Sequence, residues 1–154
     1  MKTTIRSAKP DETLPWGLLL SADGPKPEIE KYLARGELWL AECGGDIVGE
    51  MVLMETRVDV WEVMNLAVSR NVQRKGIGTS LLKRARTLAR QRGAHRLEVG
   101  TGNGGAGQLA FYQRFGFRIV GIDTDFFVRR WHKVWKQNGI SLRDMVRMEI
   151  AFDV

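Results

Sequence analysis

The seven residues Gln73–Thr79, with the sequence QRKGIGT, separate a run typical of a β-strand from a run typical of an α-helix. The strand-like run is Met64–Val68 and the helix-like run is Leu81–Leu88. Gly76 and Gly78 remove two side chains where the chain turns from one element into the other. A chain with this order must begin a helix directly beside the end of a strand.

The turn at these glycines is suited to binding phosphate. The first N–H groups of an α-helix have no acceptor within the helix, and the helix dipole concentrates positive charge there. A turn without side chains lets several of these N–H groups approach one phosphate, and Arg74 and Lys75 add positive charge beside them. The segment therefore predicts a pyrophosphate-binding turn.

Two common phosphate-binding motifs do not fit the segment. The dinucleotide motif G-x-G-x-x-G requires glycine at position 81, where this chain has Leu81. The P-loop spacing G-x-x-x-x-G-K-[ST] does not occur in the chain. The pattern that remains is Q-x-x-G-x-G, from Gln73 to Gly78.

The composition bounds the class of protein. A length of 154 residues predicts one domain over residues 1–154. The net charge of +6 fits nucleic acid, an anionic membrane or a polyanionic small molecule as a partner, and charge alone does not choose among them. Cys43 is the only cysteine, and the N-terminus lacks an apolar leader, so we expect a cytoplasmic protein without membrane spans. No His, Cys or Asp spacing suits a metal, and we expect no metal site.

Hydrophobic periodicity and turn residues predict a mixed α/β fold. The strand–helix–strand unit from Trp61 to Gly100 should form a parallel pair at the centre of a mostly antiparallel sheet flanked by helices. Gly44 and Gly45 suit a two-residue hairpin turn. The segment Phe127–Asn138 is either a helix or irregular. The predicted strands are Thr3–Ala8, Glu37–Cys43, Asp46–Glu55, Trp61–Ser69, Arg96–Gly100, Phe117–Asp123 and Asp144–Phe152, and the predicted helices are Asp11–Ala22, Pro27–Arg35, Ile77–Arg92 and Gly107–Phe115.

Three stretches together resemble the GNAT family of N-acetyltransferases. They are Glu62–Val68 with the following Gln73–Gly78, the helix Gly78–Arg92, and the segment Gln108–Phe117. The family's acyl-CoA loop is usually written [QR]-x-x-G-x-[GA], which Gln73–Gly78 matches. The resemblance covers nearly the full length. It implies the GNAT fold, acetyl-CoA as co-substrate, and direct acetyl transfer to a primary amine of a small molecule or peptide without a covalent acyl-enzyme.

The resemblance also implies which residues bind the co-substrate. In the family, the fourth and fifth strands splay apart and pantetheine lies between them. Many members carry an asparagine seven residues before a tyrosine, but this chain has Gly105 there. Either the nearby Asn103 reaches the co-substrate, or backbone replaces it. Thr79 either adds its hydroxyl or only fills the first helical turn. The implied binding residues are Leu66, Ala67 and Val68 for pantetheine and Gln73, Arg74, Lys75, Gly76, Ile77, Gly78 and Thr79 for pyrophosphate.

Two residues are candidates for catalysis under the same resemblance. Tyr112 would donate a proton to the departing sulfur, or it only packs a helix against the sheet. Glu62 would accept the proton of the amine, directly or through water, or it is a solvated strand end. Strand alternation places Glu62, Met64 and Leu66 on one face and Asn65 on the other.

The acceptor amine is less defined by the sequence. The resemblance places it near Asp23–Glu28, Thr56–Val60 and Ile122–Phe127. Asp123 and Asp125 would attract a cationic amine such as a polyamine, an aminoglycoside or a peptide N-terminus, or they are only solvated.

A second segment leaves an alternative function open. Arg129–Lys136 mixes cations with Trp131 and Trp135, which suits nucleic-acid binding. A helix that docks both indoles onto the core is the favoured alternative, because the two residues are four apart. The runner-up function is a non-catalytic acyl-CoA- or nucleic-acid-binding regulatory domain, although we expect no nucleic-acid or membrane partner. A homodimer remains open.

Overall fold

A seven-stranded sheet organises the chain in the computed structural model, which describes residues 2–73, 75–131 and 135–152. Its strand order is β1-β2-β3-β4-β5-β9-β6, and β7 and β8 form a separate hairpin. The β4–β5 pair is parallel and the other pairs are antiparallel, which confirms the predicted fold class. The strands are β1 (Thr3–Ser7), β2 (Glu37–Cys43), β3 (Asp46–Arg57), β4 (Val60–Val68), β5 (Arg96–Gly102), β6 (Arg118–Asp123), β7 (Lys136–Gln137), β8 (Ile140–Ser141) and β9 (Met145–Ala151), and the helices are α1 (Trp16–Ala22), α2 (Lys26–Leu33), α3 (Ile77–Gln91), α4 (Ala106–Phe115) and α5 (Phe126–Trp131).

Helices cover both faces of the sheet. On one face, the apolar side of α3 packs with Met51 and Leu53 of β3 in a core that also includes Tyr112 of α4. On the other face, α1 and α2 pack against Val52 and Met54 of the same strand. The alternation of side chains along β3 thus supplies both cores. The buried residues of α3 are Ile77, Leu81, Leu82, Ala85 and Ala89.

The central parallel pair is short. β4 and β5 are paired only from Val60 opposite Arg96 to Val63 opposite Val99. Beyond that point β4 continues beside β3 up to Val68, and β5 continues beside β9 up to Gly102. The two strands therefore separate, as the resemblance implied, and open a gap in the middle of the sheet.

A β-bulge lies where the gap begins. Leu53 is opposite Val63 and Val52 is opposite Asn65, so Met64 is an extra residue in β4. Met64 packs against the α1–α2 core, whereas Leu66 packs against the α3–α4 core. The predicted strict alternation, with Glu62, Met64 and Leu66 on one face, is therefore wrong, because the bulge exchanges the faces after Met64.

Two predicted segments differ from the structure. α1 begins at Trp16 rather than Asp11, since a proline at position 15 disfavours helix in the residue before it. The helix in the segment 127–138 ends at Trp131. Trp135 is half exposed and lies outside any helix, so one helix does not dock both indoles onto the core, although the two rings are in contact. Residues 132–134 lie outside the described residues.

The hairpin turn at Gly44 and Gly45 is confirmed, with φ angles of 59° and 86° that suit a primed turn. Within the described ranges, none of the helices combines the length and hydropathy that crossing a membrane requires.

Candidate active site

A pocket of about 470 Å³ occupies the gap between β4 and β5. Its walls come from Glu62–Val68 of β4 and Val99–Gly102 of β5, with Tyr112 of α4 on one side of the sheet. On the other side, Asp23 after α1 and residues of α5 complete the wall. The separation of two strands thus creates a site with access from both faces of the sheet.

The predicted pantetheine-binding residues lie in this pocket. Leu66, Ala67 and Val68 line it, and on the side away from β3 no strand pairs with them among the described residues. The side-chain amide of Gln73 donates to the carbonyl oxygen of Val68 at 3.0 Å, which ties the following turn to the end of β4. The peptide groups of this stretch are therefore accessible to an extended ligand.

The predicted phosphate turn forms the start of α3. Gly76 has a left-handed backbone, with φ of 79°, and a Cβ atom there would extend into open space. The N–H of Ser80 donates to the carbonyl oxygen of Gly76, so the N–H groups of Ile77, Gly78 and Thr79 precede the first helical hydrogen bond. The turn therefore offers free donors toward an unfilled space. Lys75 is exposed beside it, and Arg74 lies outside the described residues.

A second cavity, of about 270 Å³, lies between α3 and α4 next to this turn. It combines three cations with two phenyl rings, and the guanidinium of Arg86 lies 4.6 Å from the ring centroid of Phe115. Sequence reasoning missed this cavity, although Lys83 and Arg86 follow the glycines by one to two helical turns. The lining residues are Thr79, Lys83, Arg86, Phe111, Arg114 and Phe115.

Tyr112 reaches the pocket from the α3–α4 face. Its ring centroid lies 5.3 Å from that of Phe111 and 5.7 Å from that of Phe117, so the residue also packs α4 against the sheet. Burial, with a smaller contribution from Glu50, raises the pKa of Tyr112 above its ordinary value. The hydroxyl is therefore protonated at neutral pH, and both roles considered for this residue are compatible with its position.

Glu62 reaches the pocket from the opposite face. Its side chain is 14% exposed and its Oε2 lies 3.5 Å from Nη1 of Arg147, so it is not a solvated strand end. Burial raises the pKa of Glu62, and Arg147 opposes part of that shift. A carboxylate with a raised pKa is a better proton acceptor than an ordinary glutamate. Tyr112 and Glu62 thus line one pocket from two sides of the sheet.

A second buried acid, Glu50, lies behind the pocket on β3. It pairs across the strands with Ala67 and is completely buried. Neither of its carboxylate oxygens has a hydrogen-bond partner among the described residues. Burial raises the pKa of Glu50 to about 8, so the group is mostly protonated at neutral pH. Sequence reasoning missed this residue, although a charged residue between Gly49 and Met51 in an apolar strand was a signal.

Asn103 is not among the residues that line the pocket. Its side-chain oxygen accepts from the N–H groups of Arg143 and Asp144, and its amide donates to the carbonyl oxygen of Ser141. The glycine-rich loop beside it is also explained by the protein itself. A Cβ atom at Gly104 would collide with the backbone of Gln137, and Gly102 and Gly105 approach the same residue. These glycines make room for the β7–β8 hairpin.

The predicted acceptor region is reached only in part. Asp23, Phe126 and Phe127 line the pocket, whereas residues 56–60 do not. Asp123 pairs with Arg129 and Arg147, and Asp125 pairs with Arg143. Neither acid lines the pocket, so they are not free to attract a cationic amine there.

A hydrogen-bonded chain holds Asp23 in the wall of the pocket. The amide of Asn65 donates to the hydroxyl of Tyr32 at 2.9 Å, and that hydroxyl donates to Oδ2 of Asp23 at 2.9 Å. Arg130 donates to the same oxygen at 3.0 Å. Asn65 therefore has a structural role, and it lies on the same face as Glu62 rather than on the opposite one. Among the described residues, no cluster of His, Cys, Asp and Glu could hold a metal ion.

Comparison with known proteins adds independent evidence. The model of the acetyltransferase (GNAT) family matches residues 6–117. The chain is 44% identical over 133 residues to the uncharacterized N-acetyltransferase YvbK of Bacillus subtilis, covering 86% of each chain. A GNAT family acetyltransferase from Elizabethkingia anophelis with acetyl-CoA bound superimposes with a TM-score of 0.94, 37% identity and coverage of 97% and 98%.

A Bacillus subtilis acetyltransferase in complex with CoA superimposes with a TM-score of 0.90 and 40% identity, over 98% of this chain and 99% of that one. The family model spans well over half of the chain, and two of these relatives align along almost all of it. The strand gap, the glycine turn and the sequence relationships agree. This chain belongs to the GNAT family of acetyltransferases.

Proposed function

We propose that this protein is an acetyl-CoA-dependent N-acetyltransferase that transfers acetyl directly to a primary amine. The observation that carries the proposal is the gap between β4 and β5, which joins the free N–H groups of α3 to a pocket holding both Tyr112 and Glu62. An acid and a base on opposite sides of one opening suit a reaction in which an amine enters from one side and a thiol leaves on the other.

The proposed binding of acetyl-CoA uses three regions of the structure. The cavity with Lys83, Arg86 and Arg114 suits a nucleotide with phosphate groups, because it combines cations with aromatic rings. The start of α3, at residues 75–79, suits the pyrophosphate. The open edge of Leu66–Val68 suits the amide groups of pantetheine. Related structures with acetyl-CoA or CoA bound support this assignment.

The residues of the pocket supply the proton transfers of the reaction. The amine nitrogen attacks the thioester carbonyl carbon, so that a C–N bond forms and the C–S bond breaks. Glu62 accepts the proton that the amine must lose, directly or through water. Tyr112, kept protonated by burial, donates a proton to the departing sulfur. The products are an N-acetylated amine and the free thiol of CoA.

The alternative of a non-catalytic binding domain is less well supported. A module that only binds acyl-CoA or nucleic acid has no use for a buried glutamate and a buried tyrosine that converge on one opening. Buried polar groups cost stability, so their presence in one pocket favours a catalytic function over binding alone.

The direct test is acetyl transfer to a panel of primary amines. The purified protein is incubated with acetyl-CoA and each amine, while CoA thiol release and the N-acetylated product are measured. We expect both products in equal amounts for at least one amine, and loss of both in Glu62→Gln. A folded protein that binds acetyl-CoA but releases no thiol above the rate of spontaneous hydrolysis, with any amine, would overturn the proposal.

A further inference from the structure

The charged residues that line the pocket balance one another. Among the described lining residues they are two acids, Asp23 and Glu62, and two arginines, Arg130 and Arg147. A pocket for a polyamine or an aminoglycoside needs an excess of carboxylates, because several ammonium groups lose their hydration on binding. Two carboxylates beside two guanidinium groups instead match a ligand that carries one positive and one negative group.

The two arginines differ in how fully they are engaged. Arg130 donates to Asp23 at 3.0 Å and to the carbonyl oxygen of Gly24 at 3.3 Å, and its side chain is 17% exposed. Arg147 contacts Glu62 at 3.5 Å and Asp123 at 3.4 Å, and its side chain is 34% exposed. A guanidinium has five N–H donors, and among the described residues two long contacts leave most of those of Arg147 free. Arg147 is therefore the cation that a bound anion would reach.

The position of Arg147 restricts where that anion sits on the acceptor. Its Nη1 lies 3.5 Å from Oε2 of Glu62, the carboxylate proposed to take the amine proton. An acceptor whose nitrogen reaches Glu62 therefore has its anionic group within a few ångströms of that nitrogen. A carboxylate on the carbon that bears the amine meets this requirement. A carboxylate at the far end of a long chain does not.

The wall beyond the arginines is aromatic. Phe126, Phe127 and Trp131 of α5 line the pocket, and their neighbouring ring centroids are 5.0 and 5.2 Å apart. The guanidinium groups of Arg130 and Arg147 lie 5.6 and 5.4 Å from the ring centroid of Phe126. An apolar side chain of the acceptor packs favourably against such a wall, and a flat ring packs best.

We propose that the acceptor is an α-amino acid with an apolar, aromatic side chain, whose carboxylate binds Arg147 while its amine faces Glu62. This inference rests on the proposed function and names the substrate class of the same site. The amine nitrogen forms the new bond to the acetyl carbon and gives its proton to Glu62. The sulfur of CoA takes a proton from Tyr112, and an N-acetyl amino acid is released.

The test compares acceptors that differ only in the carboxylate. Values of kcat and KM are measured for L-phenylalanine and for phenethylamine, with each concentration expressed as that of the neutral amine. Spermidine is included as a polycationic acceptor. We expect kcat/KM to be at least about tenfold higher for L-phenylalanine. In Arg147→Gln we expect a KM for L-phenylalanine raised roughly 10- to 100-fold, which is typical of a lost charge-assisted hydrogen bond, with little change for phenethylamine.

Arg143→Gln is the matched control, because Arg143 pairs with Asp125 outside the pocket lining. This variant should prefer L-phenylalanine over phenethylamine as strongly as the wild type does. Turnover of phenethylamine or spermidine as fast as L-phenylalanine, or an unchanged preference in Arg147→Gln, overturns the inference but leaves the proposed function intact. Absence of transfer to every amine overturns the proposed function instead. In that case, binding of the two N-acetylated compounds, measured by calorimetry, tests the inference. N-acetyl-L-phenylalanine must bind more tightly than N-acetylphenethylamine to the wild type, and this difference must be absent in Arg147→Gln.

Discussion

Two roles are proposed for Tyr112, packing of α4 and proton donation to sulfur, and one substitution separates them. Tyr112→Phe keeps the ring that packs against Phe111 and Phe117 and removes only the hydroxyl. We expect the melting temperature and the Kd of acetyl-CoA to change little, while kcat falls about 10²-fold, at the lower end of general acid effects because a thiolate leaves readily. Steady-state kinetics with a good acceptor check this. An unchanged kcat would leave Tyr112 as a packing residue only.

Glu50 makes the stability of the protein depend on pH. The pKa of Glu50 is about 8 in the folded state, against 4.5 for an unperturbed glutamate. Between these values the folded state holds a proton that the unfolded state has released. The contribution of Glu50 to the free energy of unfolding therefore falls as pH rises through this window, by up to ~1.4 kcal/mol per pH unit, and is constant on either side.

The variant Glu50→Gln isolates this effect, because the amide does not titrate. Urea unfolding of both proteins is measured at intervals from pH 5 to pH 9. We expect the wild type to lose stability relative to Glu50→Gln as pH rises to about 8, with no further relative change above it. Two curves that stay parallel across the whole range would show that Glu50 is ionised in the folded protein.

The sequence predicted the location of single residues better than their contacts with distant residues. Tyr112 and Glu62 were both implied by the family resemblance, and both line the pocket. The engagement of Asn103 with Arg143 and Asp144 was not predictable, because it depends on a contact between residues about 40 positions apart. The same holds for Asp123, whose partner Arg147 comes from another strand.

The turn that begins α3 can be tested at the scale of one element. Gly76 has a positive φ angle, which Asn and Asp tolerate better than other residues with a side chain, and a side chain there enters open space. The side chains introduced in Gly76→Asp and Gly76→Asn have nearly the same shape and differ in charge. We expect both to fold, and we expect Gly76→Asp to bind acetyl-CoA at least about tenfold more weakly than Gly76→Asn, since a carboxylate repels phosphate. Equal affinities of the two variants for acetyl-CoA would show that the phosphate does not bind at this turn.

Strands and helices with strong periodicity were predictable, and elements set by distant contacts were not. α3 was found from Ile77 onward because its apolar residues repeat along one face. No residue type in the sequence around Met64 marks the bulge, so the face of Leu66 was predicted wrongly. The short β7–β8 hairpin was also missed, although Asn138 and Gly139, with φ angles of 53° and 77°, are typical turn residues.

The whole molecule is basic, and its charge should affect how it binds acetyl-CoA. The net charge is +6, and three cations line the cavity between α3 and α4. We expect the Kd of acetyl-CoA to rise with salt concentration, because counterions screen these attractions. Titrations at low and high ionic strength measure the slope. Arg114→Gln should reduce the dependence of Kd on salt, whereas Arg118→Gln, on the exposed strand β6, should not. Equal slopes in the wild type and both variants would contradict the proposal that this cavity binds the nucleotide of acetyl-CoA.

The short pairing between β4 and β5 has a mechanical consequence for the molecule. In the described part of the chain, only four residue pairs, Val60–Val63 with Arg96–Val99, join the block β1-β2-β3-β4 to the block β5-β9-β6 within the sheet. A ligand that lies along Leu66–Val68 fills the place of the missing strand contacts and bridges the two blocks. If acetyl-CoA binds there as proposed, it completes the sheet, and the release of CoA in each catalytic cycle removes that bridge again.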